Sequence, residues 1–231
     1  IEDASHAVGA DFDGEKVGNG RFSDLTVFSF HPVKILTTGE GGMVMTNDPL
    51  LAASLQRLRS HGMTRDPKLM QKQDQGAWYY EQIDLGFNYR ITDIQAALGL
   101  SQLGRLPQFV RQRRVLADRY DHLLDGMNLH IQHQPDFGIS AYHLYPIVID
   151  EAACGKTRRQ VFDAMREYGI GVNVHYIPVY LQPYYADLGF QPGWCPRAEQ
   201  YYRCALSLPM YYSLTEAEQD HVVSSLRRAL A

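Results

Sequence analysis

The sequence predicts an α/β chain, and three observations point there. Short apolar runs are cut off by glycine and proline, as strands are. Several segments with helical apolar spacing open on a good N-cap residue. Towards the C-terminus, strand-like and helix-like segments alternate. With 231 residues, 45% of them apolar, the chain can bury a substantial core, which excludes a disordered polypeptide. A formal net charge of −4 provides no basic field for nucleic acid. No apolar run approaches the ~20 residues of a membrane-spanning helix, so no membrane partner is expected. Cys154, Cys195 and Cys204 lack metal-ligand spacing and cannot all pair with one another. No metal site is expected, and reduced thiols in a cytoplasmic protein are the simplest account.

Asp3 stands at the end of a first short strand. Residues 9–20 are rich in glycine and charge and read as a hairpin or loop, with Asp13-Gly14 as the turn. Residues 25–30 form an apolar strand ending in Ser29, Phe30 and His31. Pro32 breaks it, and a glycine-rich turn leads to a second apolar run at 43–45. Asp48 and Pro49 suit the N-cap and first position of a helix reaching about residue 60, with Leu51, Leu55 and Leu58 as core positions and His61-Gly62 as its end. Residues 63–82 are polar and without period, which reads as a surface excursion.

Residues 94–124 read as one long helix or two in succession, with Pro107 at a kink. Ile94, Ala97, Leu98, Leu103 and Leu106 form one apolar stripe, and Val110, Leu116, Tyr120 and Leu123 resume it. Arg111, Arg113 and Arg114 read as a solvated face. Beyond this come a strand over 143–149, a helix over 157–168, a strand over 172–176 and a helix over 196–204. The last helix spans 215–230, with Thr215 and Glu218 at capping-box spacing. The segment Ala205-Leu206-Ser207-Leu208-Pro209 reads as packing. This C-terminal part is a small α+β domain.

Lys34 is the chemical candidate. It lies between two strand ends with little charge nearby to solvate it. A lysine so placed is suited to a lowered pKa and to nucleophilic or Schiff-base chemistry. A plain surface-loop lysine beside a tight turn is the competing reading. Asn88 and Arg90 sit just before a helix N-terminus, an arrangement suited to anions, although Asn88 also fits a turn. Asp3 also fits a turn that caps residues 4–8. His175-Tyr176-Ile177-Pro178 opens a stretch dense in aromatics and prolines, which can be a rigid core loop.

Ser29-Phe30-His31, Lys34 and Gly39-Glu40-Gly41-Gly42 together resemble the S-F-H-x-x-K-x-x-x-x-G-E-G-G motif of the DegT-type sugar aminotransferases. Glu2-Asp3-Ala4-Ser5-His6-Ala7 is similar to the upstream aspartate motif of that family. Gly86-Phe87-Asn88-Tyr89-Arg90-Ile91-Thr92-Asp93-Ile94-Gln95-Ala96-Ala97 is similar to its G-x-N-Y-R segment, and the His-Tyr-x-Pro run to its fourth signature. The resemblance implies the C-terminal part of a fold type I transferase dependent on pyridoxal 5'-phosphate. Residues 1–122 would be part of the large cofactor-binding domain, including the interdomain helix, and 123–231 the small α+β domain.

By the same resemblance Lys34 is catalytic and holds the cofactor. A histidine at this position marks the dehydrases, so the lysine argues for amino transfer. Asp3 pairs with the cofactor's pyridine nitrogen, His6 neighbours its ring, and Ser29 contacts its phosphate. Asn88 reaches the phosphate across a homodimer interface. His31, Arg90, His175 and Tyr176 face the substrate, although His31 equally fits the bare closing of its strand. The partners implied are a nucleotide sugar and an amino acid donor, glutamate. His6 and the stretch 175–185 resemble the pseudaminic acid branch, with amination at C4 of a UDP-4-keto-6-deoxy-N-acetylhexosamine. Another nucleotide-sugar aminotransferase of the family is the alternative. The family's phosphate-gripping turn and ring-stacking aromatic precede the aspartate motif and are not in these residues. A C-terminal portion that needs an N-terminal half is therefore the third expectation.

Overall fold

The computed structural model describes residues 1–72 and 75–231; Gln73 and Asp74, inside the polar stretch 63–82, lie outside the described residues. The chain divides into two compact units, Ile1–Leu106 and Pro107–Ala231.

The first unit begins with β1 (Glu2–Asp3), followed by a hairpin of β2 (Asp11–Phe12) and β3 (Glu15–Lys16). Asp13 and Gly14 form the predicted turn, with φ values of 50° and 78°. Positive φ at both positions gives a twist that matches the flanking strands. Next come β4 (Thr26–Ser29) and β5 (Gly42–Met45). β4 is the centre of a three-stranded sheet, parallel to β1 with Asp3 opposite Val27, and antiparallel to β5 with Ser29 opposite Gly42. The carboxyl ends of the two parallel strands therefore carry Asp3, opposite Val27, and Ser29, two residues further along β4.

Helix α1 (Pro49–Leu58) is capped as expected, with Asp48 Oδ1 accepting from the amides of Leu50 and Leu51 at 2.7 and 3.2 Å. Its expected core leucines, Leu51, Leu55 and Leu58, are only half-buried, and no residue of the helix is fully buried. Within residues 1–106 the apolar face finds too little opposing surface.

β6 (Met63–Thr64) and β7 (Glu81–Gln82) pair across the polar excursion. α2 (Asp93–Leu103) begins in a capping box of Thr92 and Gln95. Its expected stripe is likewise uncovered, with Ile94, Leu98 and Leu103 exposed.

The second unit opens with α3 (Leu106–Leu124). The stretch 94–124 is thus two helices broken at Gly104-Arg105, and Pro107 lies in the first turn of the second, where its missing N–H costs nothing. Apart from its first residue, α3 belongs to the second unit, because Leu116, Ala117, Tyr120 and Leu124 lie in that unit's core. Arg113 overturns the expectation of a solvated basic face. It is buried, and its guanidinium Nη1 donates to the carbonyls of Tyr142, His143 and Met210 at 3.0, 3.2 and 3.0 Å. Arg114 also turns inward, its Nε donating to the Ser140 carbonyl at 3.0 Å.

β8 (Leu129–Ile131), β9 (Gly138–Ile139) and β10 (Tyr145–Ile149) follow. After them come α4 (Glu151–Cys154), α5 (Arg158–Glu167), a short 3-10 turn (Val179–Leu181) and α6 (Pro183–Asp187). The chain ends with α7 (Pro196–Cys204), β11 (Ala205–Leu208) and α8 (Glu216–Leu230). An antiparallel sheet in the order β11-β10-β8 carries this unit. Tyr145, Ile147 and Ile149 alternate inward and meet Val161 and Met165 of α5 and Val222, Val223 and Leu226 of α8 in one buried cluster.

The strand expected over 172–176 does not form. A single antiparallel bridge joins Asn173 to Ser207, each amide donating to the other's carbonyl at 3.3 and 2.8 Å, and the pairing with β11 goes no further. No helix among the described residues is long and apolar enough to cross a membrane.

Candidate active site

The loop that carries Lys34 leaves β4 at Phe30 and returns beside it. The carbonyl of Phe30 accepts from the Thr38 amide and from Thr37 Oγ1, both at 3.0 Å, and the Phe30 amide donates to Gly41 at 2.8 Å. Lys34 stands at the far side of this closed loop, its own amide donating to the His31 carbonyl at 3.0 Å. Ile35 and Leu36 are buried and anchor the loop from below. The return needs a residue without a side chain. A Cβ on Gly42 would stand 2.8 Å from the Phe28 carbonyl, so glycine lets β5 close on β4.

Lys34 is half-buried, and this burial pushes its ammonium below the ordinary lysine value, while the Asp3 carboxylate works in the opposite direction. Asp3 is held below the ordinary carboxylate value first by the Ser5 hydroxyl and then by the Ser5 amide, with His6 and Lys34 adding to the effect. The two groups feel each other's charge, with Lys34 lowering Asp3 further and Asp3 opposing the effect of burial on Lys34. The contact from the Ser5 amide to Asp3 Oδ1, at 3.1 Å, is also an Asx-type turn. The turn and the charge pairing coexist on one side chain.

The structure places Asp3, His6, Ser29, His31 and Lys34 around the ends of β1 and β4. Ser29 Oγ accepts from the His31 amide at 3.4 Å, and the His31 ring lies 4.0 Å from Glu40. Asn88 and Arg90 lie on the exposed segment before α2. Asn88 bridges to Ser60, and the neighbouring Tyr89 amide donates to the Arg59 carbonyl at 2.9 Å, so the segment is tied to the end of α1.

His175 and Tyr176 belong to the second unit. There His175 Nδ1 meets Ser207 Oγ at 2.8 Å and Nε2 meets Asn173 Nδ2 at 3.4 Å. A proton on Nδ1 satisfies both contacts. Ser5 and Glu40 stand in the motifs without a role of their own, and the α2 residue Gln102, described below, escaped sequence reasoning. Among the described residues no group of three or more His, Cys, Asp or Glu side chains is placed to hold a metal ion.

Residues 1–227 match the DegT/DnrJ/EryC1/StrS aminotransferase family. The chain belongs to this family. It is 38% identical over 232 residues to the spore coat polysaccharide biosynthesis protein SpsC of Bacillus subtilis, a match covering 98% of this chain and 58% of SpsC. It is 35% identical over 233 residues to the UDP-4-amino-4,6-dideoxy-N-acetyl-beta-L-altrosamine transaminase of Campylobacter jejuni, covering 98% of this chain and 57% of that protein. Among solved structures, the PLP-form of the sugar aminotransferase Spr1654 from Streptococcus pneumoniae superposes with a TM-score of 0.86 at 30% identity, over 99% of this chain and 56% of that one. Spr1654 is also known in a PMP-form. The chain thus spans a little under three fifths of the length of each of these family members, and it is similar in fold to the C-terminal portion of fold type I enzymes.

Proposed function

We propose that this chain is the lysine-bearing portion of a pyridoxal-phosphate-dependent sugar-nucleotide aminotransferase. It would move an amino group from glutamate to C4 of a UDP-4-keto-6-deoxy-N-acetylhexosamine, in pseudaminic acid-type synthesis. The observation that carries the reading is the placement of Asp3 and Ser29 at the carboxyl ends of two parallel strands, with half-buried Lys34 on the loop that leaves the second strand, in a member of an aminotransferase family.

The residues present fit the cofactor. Bound pyridoxal phosphate supplies an electron sink that depends on a protonated pyridine nitrogen. Asp3, whose carboxylate is favoured by Ser5, would face that nitrogen and keep it protonated. Lys34, with its ammonium destabilised by burial, would hold the cofactor through its amine and would serve as the group that carries a proton during amino transfer. Ser29 Oγ and Asn88 are the candidate donors to phosphate oxygens, with His6 beside the ring. Arg90 and His31 take the substrate side, and His175 and Tyr176, in the second unit, are also assigned to the substrate. Asn88 acts from the partner subunit of a homodimer, which makes two copies the working unit. The division into a large cofactor-binding part and a small α+β part belongs to this proposal, as does a cytoplasmic location.

A second reading has its own support. Identity to SpsC, at 38%, is no lower than identity to the altrosamine transaminase, at 35%, which favours keeping another keto sugar of the same family open. The chain is also shorter than these relatives, so activity of the chain by itself is part of what is tested. The test is amino transfer from glutamate by the cofactor-loaded protein to a panel of UDP-keto sugars, with products identified by mass spectrometry. Product from the 4-keto-6-deoxy-N-acetylhexosamine supports the first reading, product from a different keto sugar alone supports the second, and no product from any overturns both for this chain.

A further inference from the structure

The loop bearing Lys34 is gripped from outside by α2. The side-chain amide of Gln102 makes two contacts with one backbone unit. Its Oε1 accepts from the Thr37 amide at 3.3 Å, and its Nε2 donates to the Thr37 carbonyl at 2.7 Å. This is the pairing a neighbouring strand would make, supplied by a helix 65 residues further along the chain. One turn earlier α2 lies so close to the loop that a Cβ on Gly99 would stand 2.8 Å from Thr38 Cγ2. Gly99 is also the single buried residue of α2. Thr38 itself is buried and ties the loop onward, its Oγ1 donating to the Glu40 carbonyl at 2.7 Å.

We propose that Gln102 and Gly99 are positioning residues for Lys34, fixing through Thr37 and Thr38 the loop from which the lysine amine is presented. The reasoning is geometric. Lys34 lies three residues before Thr37 in a loop whose ends are tied at Phe30, and between them only Ile35 and Leu36 are buried. Without the amide clamp, both polar groups of the Thr37 peptide lose their partner and the loop is free to lift towards solvent. The same helix carries the Asn88-Arg90 segment at its N-terminal end, so α2 spans from that segment to the lysine loop. The inference rests on the assignment of Lys34 as the residue that takes the cofactor.

The test measures how fast pyridoxal phosphate is trapped on Lys34 of the full chain by borohydride, followed by peptide mass, together with hydrogen exchange of the Thr37 and Thr38 amides. Gln102→Met, which keeps shape and loses both hydrogen bonds, is expected to slow trapping on Lys34 roughly tenfold with unchanged far-ultraviolet circular dichroism. Gln102→Glu retains the acceptor for the Thr37 amide but sets a carboxylate oxygen against the Thr37 carbonyl, and is expected to slow trapping at least as much as Gln102→Met. Gly99→Ala is expected to slow trapping as well. Adding Thr38→Ser, which removes the obstructing methyl but keeps the hydroxyl, should restore the rate to within about twofold of the wild type.

The inference is overturned if Gln102→Met and Gly99→Ala accelerate exchange at Thr37 while trapping stays within about twofold, since the clamp is then structural only. It is equally overturned if Thr38→Ser fails to rescue Gly99→Ala. Should Gln102→Met fail to fold, Gln102→Glu and the Gly99 pair decide. A wild type that traps no cofactor on Lys34 removes the assignment of Lys34 itself, an outcome distinct from wild-type trapping that the variants leave unchanged.

Discussion

Replacing Arg113 with methionine removes a cation that the second unit holds without a carboxylate partner. The guanidinium is buried and points at three carbonyls, those of Tyr142, His143 and Met210. Burial pushes its pKa down from 12.5 to about 10, which at about 1.4 kcal/mol per unit corresponds to roughly 3 kcal/mol of destabilisation that the charge imposes. Against this stand the two N–H groups of Nη1, shared among the three carbonyls, at about 1.5–3 kcal/mol per hydrogen bond from a charged donor, or roughly 3–6 kcal/mol together. The bonds win, so Arg113→Met is expected to destabilise the unit by about 1–3 kcal/mol, despite the good fit of a flexible apolar side chain.

The assay is urea unfolding followed by Trp194 fluorescence in a Trp78→Phe background, because Trp78 and Trp194 are the two tryptophans of the chain. The change is read as a shift in midpoint at constant slope. A loss under about 1 kcal/mol, or a gain, would refute the reasoning and mean that water takes over the three carbonyls.

Two further predictions concern the first unit. Ser5→Ala removes the strongest influence on Asp3, so the Asp3 titration followed by carboxyl carbon NMR should move up towards its ordinary value of 3.8. The sign for stability follows. Because the folded pKa is depressed, the contribution of Asp3 is fully present above 3.8 and is lost as the pH falls through the lower folded value; Ser5→Ala narrows that window and weakens the contribution. Gly62→Ala places a Cβ 1.9 Å from the Asp84 carbonyl at a φ of +70°, in the segment where the amides of Ile83 and Asp84 reach the Gly62 carbonyl. A destabilisation above about 2 kcal/mol is expected in thermal unfolding, and a change under about 0.5 kcal/mol would contradict the close approach.

What the sequence made legible followed local rules. The Asp13-Gly14 turn, the Asp48 cap of α1 and the capping box at Thr215 are contained within four residues each, and the chain obeys them. Apolar spacing located the helices but misjudged their cover. Leu51 and Leu55 have the spacing of a core face, yet burial depends on what lies opposite, and residues 1–106 provide little. Arg113 was illegible for a related reason. Its three acceptors lie 29, 30 and 97 residues away, and a charge counted on a helix does not reveal a ring of carbonyls.

At the candidate site, Asp3, Ser29 and Lys34 stood out because strand ends and a motif placed them together. Ser5 reads as an ordinary hydroxyl until its contact with Asp3 is seen. Gln102 gives no periodic or compositional signal, because its function rests on one peptide group of a distant loop.

The central claim is that Lys34, on the loop beyond β4, is the residue that takes the cofactor. Its most direct test is the absorbance spectrum of the purified chain after addition of pyridoxal phosphate, with Lys34→Ala alongside. The account predicts a new band at roughly 400–430 nm in the wild type that is missing from the variant. The same spectrum in both proteins would contradict it.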